Sequence, residues 1–160
     1  MDYLIGVDVG TTSTKAVLYD QQANVLQDFK QGYSLYRDAS GMAEQNPDTL
    51  VEAVQSVIKQ AAQAANLDQG KLLAVSFSSA NQSLILLDDK HQPLTRALTW
   101  ADTRARAVAD QLKRTPAGKQ LYASTGTPIH PMSPLTKLLW LKQAHPDLMA
   151  RASYFADIKS

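Results

Sequence analysis

The chain has 160 residues, 44% of them hydrophobic, and its sixteen Lys and Arg nearly balance fifteen Asp and Glu, for a net charge of +1. That length supports one core hiding roughly 70% of the unfolded surface, and near-neutrality without a basic block argues against a nucleic-acid partner. Cysteine is absent and the three His stand singly at 91, 130 and 145, which removes disulfide frameworks and Cys-based metal sites. The amino terminus, Met1-Asp2-Tyr3-Leu4-Ile5, lacks the basic and apolar regions of a signal peptide, and no segment reaches 18 uninterrupted apolar residues. A soluble cytoplasmic protein with no membrane partner is expected.

Tyr3 to Val9 sets Ile5, Val7 and Val9 on one side at period two, and Lys15 to Tyr19 is a second β-prone run. The Gly and hydroxyl residues between them predict a tight hairpin. A third strand, about 25 to 33, follows the turn Asp20-Gln21-Gln22-Ala23-Asn24, where Asn24 can tolerate a left-handed backbone. Leu50, Val54, Val57, Ile58, Ala61 and Ala65 recur at helical spacing behind Asn46-Pro47-Asp48, which predicts a helix over 47–66 with Asn46 as N-cap. Leu72 to Phe77 reads as a buried strand, followed by the polar cluster Ser78-Ser79-Ala80-Asn81-Gln82-Ser83 and a second apolar run, Leu84 to Leu87. Prolines at 116, 128, 131 and 146 punctuate helices expected over 103–114, 117–124, 134–144 and 146–152. Three meandering strands, a helix, a strand and further helices make an α/β chain of the ribonuclease H-like order. In that order a three-stranded antiparallel meander is extended by parallel strands with flanking helices. Actins, Hsp70 chaperones and sugar kinases share it, so the fold does not select a function.

The first hairpin carries the most suggestive chemistry. Gly10 permits close backbone approach, while Thr11, Thr12 and Ser13 add hydroxyls to a turn that can cradle an anion. Asp8 at the strand end would repel phosphate unless a cation intervenes, and Mg²⁺ is held by one or two carboxylates, waters and phosphate oxygens. Lys15 brings a positive charge for a phosphoryl group in transit. The same residues also suit an ordinary hairpin with a solvated Lys15, and residue chemistry alone leaves both readings open.

Asp8-x-Gly10-Thr11-Thr12-Ser13-x-Lys15 resembles the phosphate motif that opens the FGGY carbohydrate kinases. The resemblance continues through Gly41-Met42-Ala43-Glu44-Gln45-Asn46-Pro47, through Leu87-Asp88 with Pro93-Leu94, and through Trp100-Ala101-Asp102-Thr103-Arg104. Within the family, the stretch from Thr125 to Lys137 and the Ala156-Asp157-Ile158-Lys159 segment look most like bacterial gluconate kinases. The resemblance implies an enzyme that transfers the γ-phosphate of ATP, with Mg²⁺, to D-gluconate; a pentulose such as xylulose or another polyol is the alternative acceptor. Asp8 would hold the metal through water, and Gly10, Thr11, Thr12, Ser13 and Lys15 would face phosphate.

Candidate sugar contacts come next. Asn81 and Gln82 follow the 72–77 strand, and their amides suit hydroxyl recognition; a plain polar turn is the other reading. The related pentulose kinases carry a Met-His pair there, from which these two residues depart. In glycerol-kinase-like relatives the Trp matching Trp100 lines the substrate pocket; packing against a helix is the other reading. Asp102 is expected to cap the helix starting near Thr103, and Arg104 to pair with it or attract the gluconate carboxylate. His130 is a substrate contact or a structural loop residue, and Met132 joins the substrate set through the resemblance. Lys137 is a similar case, since the family often has a Lys at this position and the plain reading is a solvated helix residue, whereas Trp140 and Leu141 look like core.

The resemblance further implies that residues 1–160 are an incomplete amino-terminal domain. The general-base Asp and the ATP-binding carboxy-terminal domain would lie beyond residue 160, and 157–160 would enter a helix. Alone, the chain is then expected to be inactive, and the whole enzyme has room for a homodimer. Rival readings are an actin- or Hsp70-type ATPase, a two-metal nuclease using Asp8, and a sugar-sensing regulator without catalysis.

Overall fold

Tyr3, Ile5, Val7 and Val9 form one buried stripe along β1 (Tyr3–Val9) in the computed structural model, which describes residues 1–160. β1 pairs antiparallel with β2 (Ser13–Asp20), where Thr14, Ala16, Leu18 and Asp20 continue the stripe, and β2 pairs antiparallel with β3 (Val25–Gly32). The expected meander is present. Left-handed backbone in the β2–β3 turn falls on Ala23 (φ 63°) and not on Asn24, the residue able to tolerate it. Asn24 is occupied otherwise: its side-chain amide donates to Asp20 Oδ2 at 2.8 Å and its backbone N–H to Asp20 Oδ1 at 2.9 Å. Those bonds, the side-chain one first, hold the Asp20 carboxyl below the usual range.

The helix α1 (Pro47–Ala64) starts as anticipated, with Asn46 Oδ1 accepting the Asp48 N–H at 2.9 Å and Pro47 in the first turn. Leu50, Ala53, Val57 and Ala61, spaced three and four apart, are buried on the face it turns to β1, β2 and β3. β6 (Leu72–Ser79) then lies parallel to β1, giving a four-stranded sheet of order β3-β2-β1-β6 once two short strands, β4 (Tyr36–Arg37) and β5 (Ala43–Gln45), are counted in chain order. The strand over 72–77 was expected to be buried, and it is not. Strand side chains point to the faces of the sheet, and α1 packs mainly on β1, β2 and β3, so the faces of β6 are largely uncovered and Leu73 and Phe77 are 55% and 57% exposed. Residues 1–35 and 46–80 make up this first unit.

Residues 36–45 and 81–158 form a second. Its strands are β4 and β5, β7 (Ile85–Leu87), β8 (Ala97–Leu98) and β9 (Tyr154–Ala156), paired as β4-β5-β8 and β7-β9. Leu84, Leu86, Leu98 and Leu141 make the buried centre, with Leu138, Trp140 and Leu148 packed against it. Its helices are α2 (Arg106–Arg114), α3 (Pro116–Thr125), α4 (Pro134–Ala144) and α5 (Pro146–Arg151). Three begin on a proline, two of them, Pro116 and Pro146, as the punctuation predicted, and Thr115 Oγ1 caps α3 by accepting the Gly118 N–H. The final residues depart from expectation: 154–156 are a strand, and 157–160 close a single turn in which Ser160 N–H donates to Asp157 O. No helix is long and apolar enough to cross a membrane.

Candidate functional site

In the first unit the period-two alternation decides which side chains face away from α1. Asp8 and Lys15 are cross-strand partners, both exposed on that open face beside Gly6, Ser76 and Ser78. These residues, with Tyr19, line an open hollow of about 320 Å³. No ion pair joins Asp8 to Lys15, so each charge is left to solvent or a ligand.

The three-residue link 10–12 is held from several sides. Gly10 N–H donates to Ser13 O at 3.0 Å, Thr14 Oγ1 donates to Asp8 O at 3.0 Å, and Tyr33 N–H donates to Thr12 O at 3.1 Å. A Cβ on Gly10 would sit 3.0 Å from Ser13 O, so glycine serves close approach here, with no left-handed backbone. The Gly10 amide, anticipated as an anion donor, is spent inside the hairpin. Thr12 is exposed and Thr11 and Ser13 are half-buried. No three His, Cys, Asp or Glu side chains converge on one point; a single exposed carboxylate such as Asp8 fits an ion that completes its shell with water and phosphate oxygens. The turn also has a supporter that the sequence did not suggest. Tyr33 Oη donates to Gly10 O at 2.6 Å, and burial first, then the Asp8 charge, push this phenol up to about 12.

The second unit gathers most of the remaining candidates, and two of them, Asp102 and Lys137, take roles other than those anticipated. Asp102, 1% exposed, caps no helix: α2 begins at Arg106 behind Ala105, without a side-chain cap. Its carboxylate instead accepts the Ala43 N–H at 3.0 Å and the Arg104 N–H at 3.1 Å, and receives Arg104 Nε and Nη2. Arg104 Nη2 also lies 2.5 Å from Glu44 Oε1, and its guanidinium stacks over the Trp140 ring, 4.6 Å from the centroid. Of the two options for Arg104, pairing is the one realised. Glu44 was missed because nothing in Ala43-Glu44-Gln45 marks a charge that meets a residue sixty positions on.

Trp100 is 48% exposed and so does not serve as core. Asn81 is exposed, and Gln82 has a left-handed backbone (φ 65°). His130 is exposed with Nδ1 accepting the Met132 N–H at 3.2 Å, while its carbonyl takes the Thr136 hydroxyl at 2.7 Å.

Lys137 overturns its reading as a solvated helix residue. It is 0% exposed, and its ammonium donates to Gln82 O at 2.5 Å, Met132 O at 2.8 Å and Leu98 O at 3.4 Å. Burial pushes it down to about 8, opposed by the Asp102 charge and aided by that of Arg104. A signal was present: Lys137 precedes core Leu141 by one helical turn, on the same face.

Known proteins resemble the chain along nearly its whole length. Residues 3–160 match the model of the N-terminal domain of the FGGY family of carbohydrate kinases. The chain is 42% identical over 158 residues to a gluconokinase of Bacillus licheniformis, covering 98% of this chain and 30% of that one. Two solved structures from Lactobacillus acidophilus, a ligand-bound xylulose kinase and a gluconate kinase, are each 39% identical, with TM-scores of 0.94 and 0.93. Each covers 99% of this chain, which spans 32% of theirs. The ribonuclease H-like architecture expected from the element order is thus the sugar-kinase one. With the family model spanning all but the first two residues, the chain belongs to the FGGY family of carbohydrate kinases.

Proposed function

We propose that the chain is the amino-terminal part of a kinase that transfers the γ-phosphoryl group of ATP to a hydroxyl of D-gluconate. The observation that carries this reading is the 42% identity to a gluconokinase along almost the whole chain. Family membership weighs against the actin-type, nuclease and sugar-sensing rivals. Xylulose is the second acceptor to consider, because the ligand-bound xylulose kinase is as similar as the gluconate kinase.

Phosphoryl transfer to an alcohol asks the protein mainly for positioning and charge stabilisation. In this reading Asp8 holds Mg²⁺ through water, and the bound Mg²⁺ offsets charge on the ATP phosphates. Lys15 and the hydroxyls of Thr11, Thr12 and Ser13 orient the phosphate, while Gly10 keeps the turn tight. Asn81, Gln82, Trp100, His130 and Met132 form the sugar-contacting set, and the cluster of buried Asp102 with the part-exposed Arg104 and Glu44 holds the backbone behind it. Arg104 is already shared between two carboxylates, which makes it a support for the pocket more than a free receptor for the gluconate carboxylate. The carboxylate that accepts the hydroxyl proton and the nucleotide-binding domain are assigned to sequence beyond residue 160, in keeping with a chain that spans 30% of its gluconokinase relative.

Coupled ADP release by the complete protein, measured with gluconate, xylulose, ribulose and glycerol, tests the reading. Gluconate should give the highest kcat/KM; release that ignores every sugar would sink it, and a preference for xylulose would install the second acceptor.

A further inference from the structure

We propose that Lys137 is a positioning residue that locks the 81–83 loop and the 130–132 loop into a single sugar-contacting surface. The proposal rests on the sugar-contact reading of those loops given above.

Three carbonyls from three separate segments converge on one ammonium: Gln82 O in the first loop, Met132 O in the second and Leu98 O in β8. An ammonium has three N–H donors and no acceptor, so this arrangement uses all of them. Neither loop is held by regular pairing at these residues. Gln82 adopts a left-handed backbone that a non-glycine residue takes only when its surroundings impose it. Met132 sits between Pro131 and the start of α4 at Pro134, with its N–H on the His130 ring.

A charge removed from water is costly unless it is well paired. Here the opposite charge, Asp102, is already engaged by Arg104, so the backbone carbonyls are what Lys137 directly meets. Because it reaches both loops from one rigid helical position, a change at Lys137 shifts Gln82 and Met132 together.

The test uses the complete kinase with Lys137→Met, which keeps length and removes all donors, and Lys137→Arg, which keeps a buried cation but offers a planar fork to carbonyls arranged around a point. Steady-state KM for sugar and for ATP is measured separately on variants whose thermal melting shows them folded. We expect the sugar KM to rise about tenfold or more with Met and by an intermediate factor with Arg, with the ATP KM within about twofold of the parent. A purely structural role would lower the active fraction and hence kcat, with the sugar KM unmoved, and that result overturns the proposal.

If Lys137→Met does not fold, Lys137→Arg carries the kinetic test. Should the parent protein act on no sugar, the function reading fails, and amide hydrogen exchange decides the positioning role independently. Faster exchange in both 80–83 and 130–133 of Lys137→Arg supports it, whereas unchanged exchange in either segment overturns it.

Discussion

Tyr33 Oη donates to the carbonyl of Gly10, twenty-three residues earlier, at 2.6 Å, while the Tyr33 N–H bonds Thr12 O. One residue at the end of β3 therefore grips both ends of the turn between β1 and β2. Tyr33→Phe removes the hydroxyl and keeps the ring. It should cost about 1 kcal/mol in urea unfolding, the typical net value of such a bond. In the complete kinase it should weaken ATP binding more than sugar binding, as separate KM values would show.

The same phenol predicts a pH effect with a definite sign. Its folded pKa, about 12, lies above the ordinary value of 10.0. Between those values the unfolded chain gives up its proton first, so the folded state binds more protons and stability falls as pH rises. The contribution is fully present below pH 10 and is lost as pH climbs through 12. Unfolding midpoints measured across that window should decline less steeply in Tyr33→Phe than in the parent.

Arg104 is the hinge of an ion cluster whose centre, Asp102, is 1% exposed. Arg104→Ala would leave that buried carboxylate with only backbone donors and uncover the Trp140 ring. A loss of about 3 kcal/mol is expected, at the low end for breaking a buried pair because part of the Arg104 side chain reaches solvent. Lys in its place can meet one carboxylate but not both, so Arg104→Lys should recover less than half of the loss. Denaturant titration of the three proteins checks both statements.

Gly41 has φ +90°, and a Cβ built on it would lie 2.3 Å from Thr103 Oγ1. Its carbonyl meanwhile accepts the Thr103 N–H at 2.9 Å. Gly41→Ala should therefore destabilise the chain by about 1–3 kcal/mol through backbone strain and displacement of Thr103. An unchanged melting temperature would count against the left-handed conformation.

Asp8 is exposed, so Asp8→Asn should leave the unfolding curve where it is. In the complete kinase it should lower kcat by roughly 10²–10³, the scale on which an electrostatic group at a reacting centre contributes. Activity restored by raising Mg²⁺ alone would point to weakened metal binding; a kcat equal to the parent's would remove Asp8 from the site.

Short-range patterns accounted for much of the architecture. Alternation in 3–9 marked the buried stripe, the β-prone run 15–19 marked its partner strand, Asn46-Pro47 marked the start of α1, and Pro116 and Pro146 marked two later helices. These features depend on residues within a turn or two of each other, where steric and hydrogen-bond preferences act locally. The two- and three-residue strands β4, β5, β8 and β9 had no such mark, because pairs that short exist only through a distant partner.

The site divides along the same line. Asp8, Lys15 and the hydroxyls between them stood out as a motif, since the hairpin that joins them is local. The roles of Asp102, Glu44 and Lys137 did not. Asp102 looked like a helix cap and Lys137 like a solvated side chain, yet one anchors an ion cluster and the other disappears among three carbonyls. Burial and charge pairing are sums over neighbours brought from 39 to 60 positions away, here Leu98 and Gln82 for Lys137 and Glu44 for Arg104. Residue type and spacing thus singled out the β1–β2 turn as a candidate, and the folding of remote segments onto one another assigned which charges are free to meet a ligand and which are spent holding the protein together.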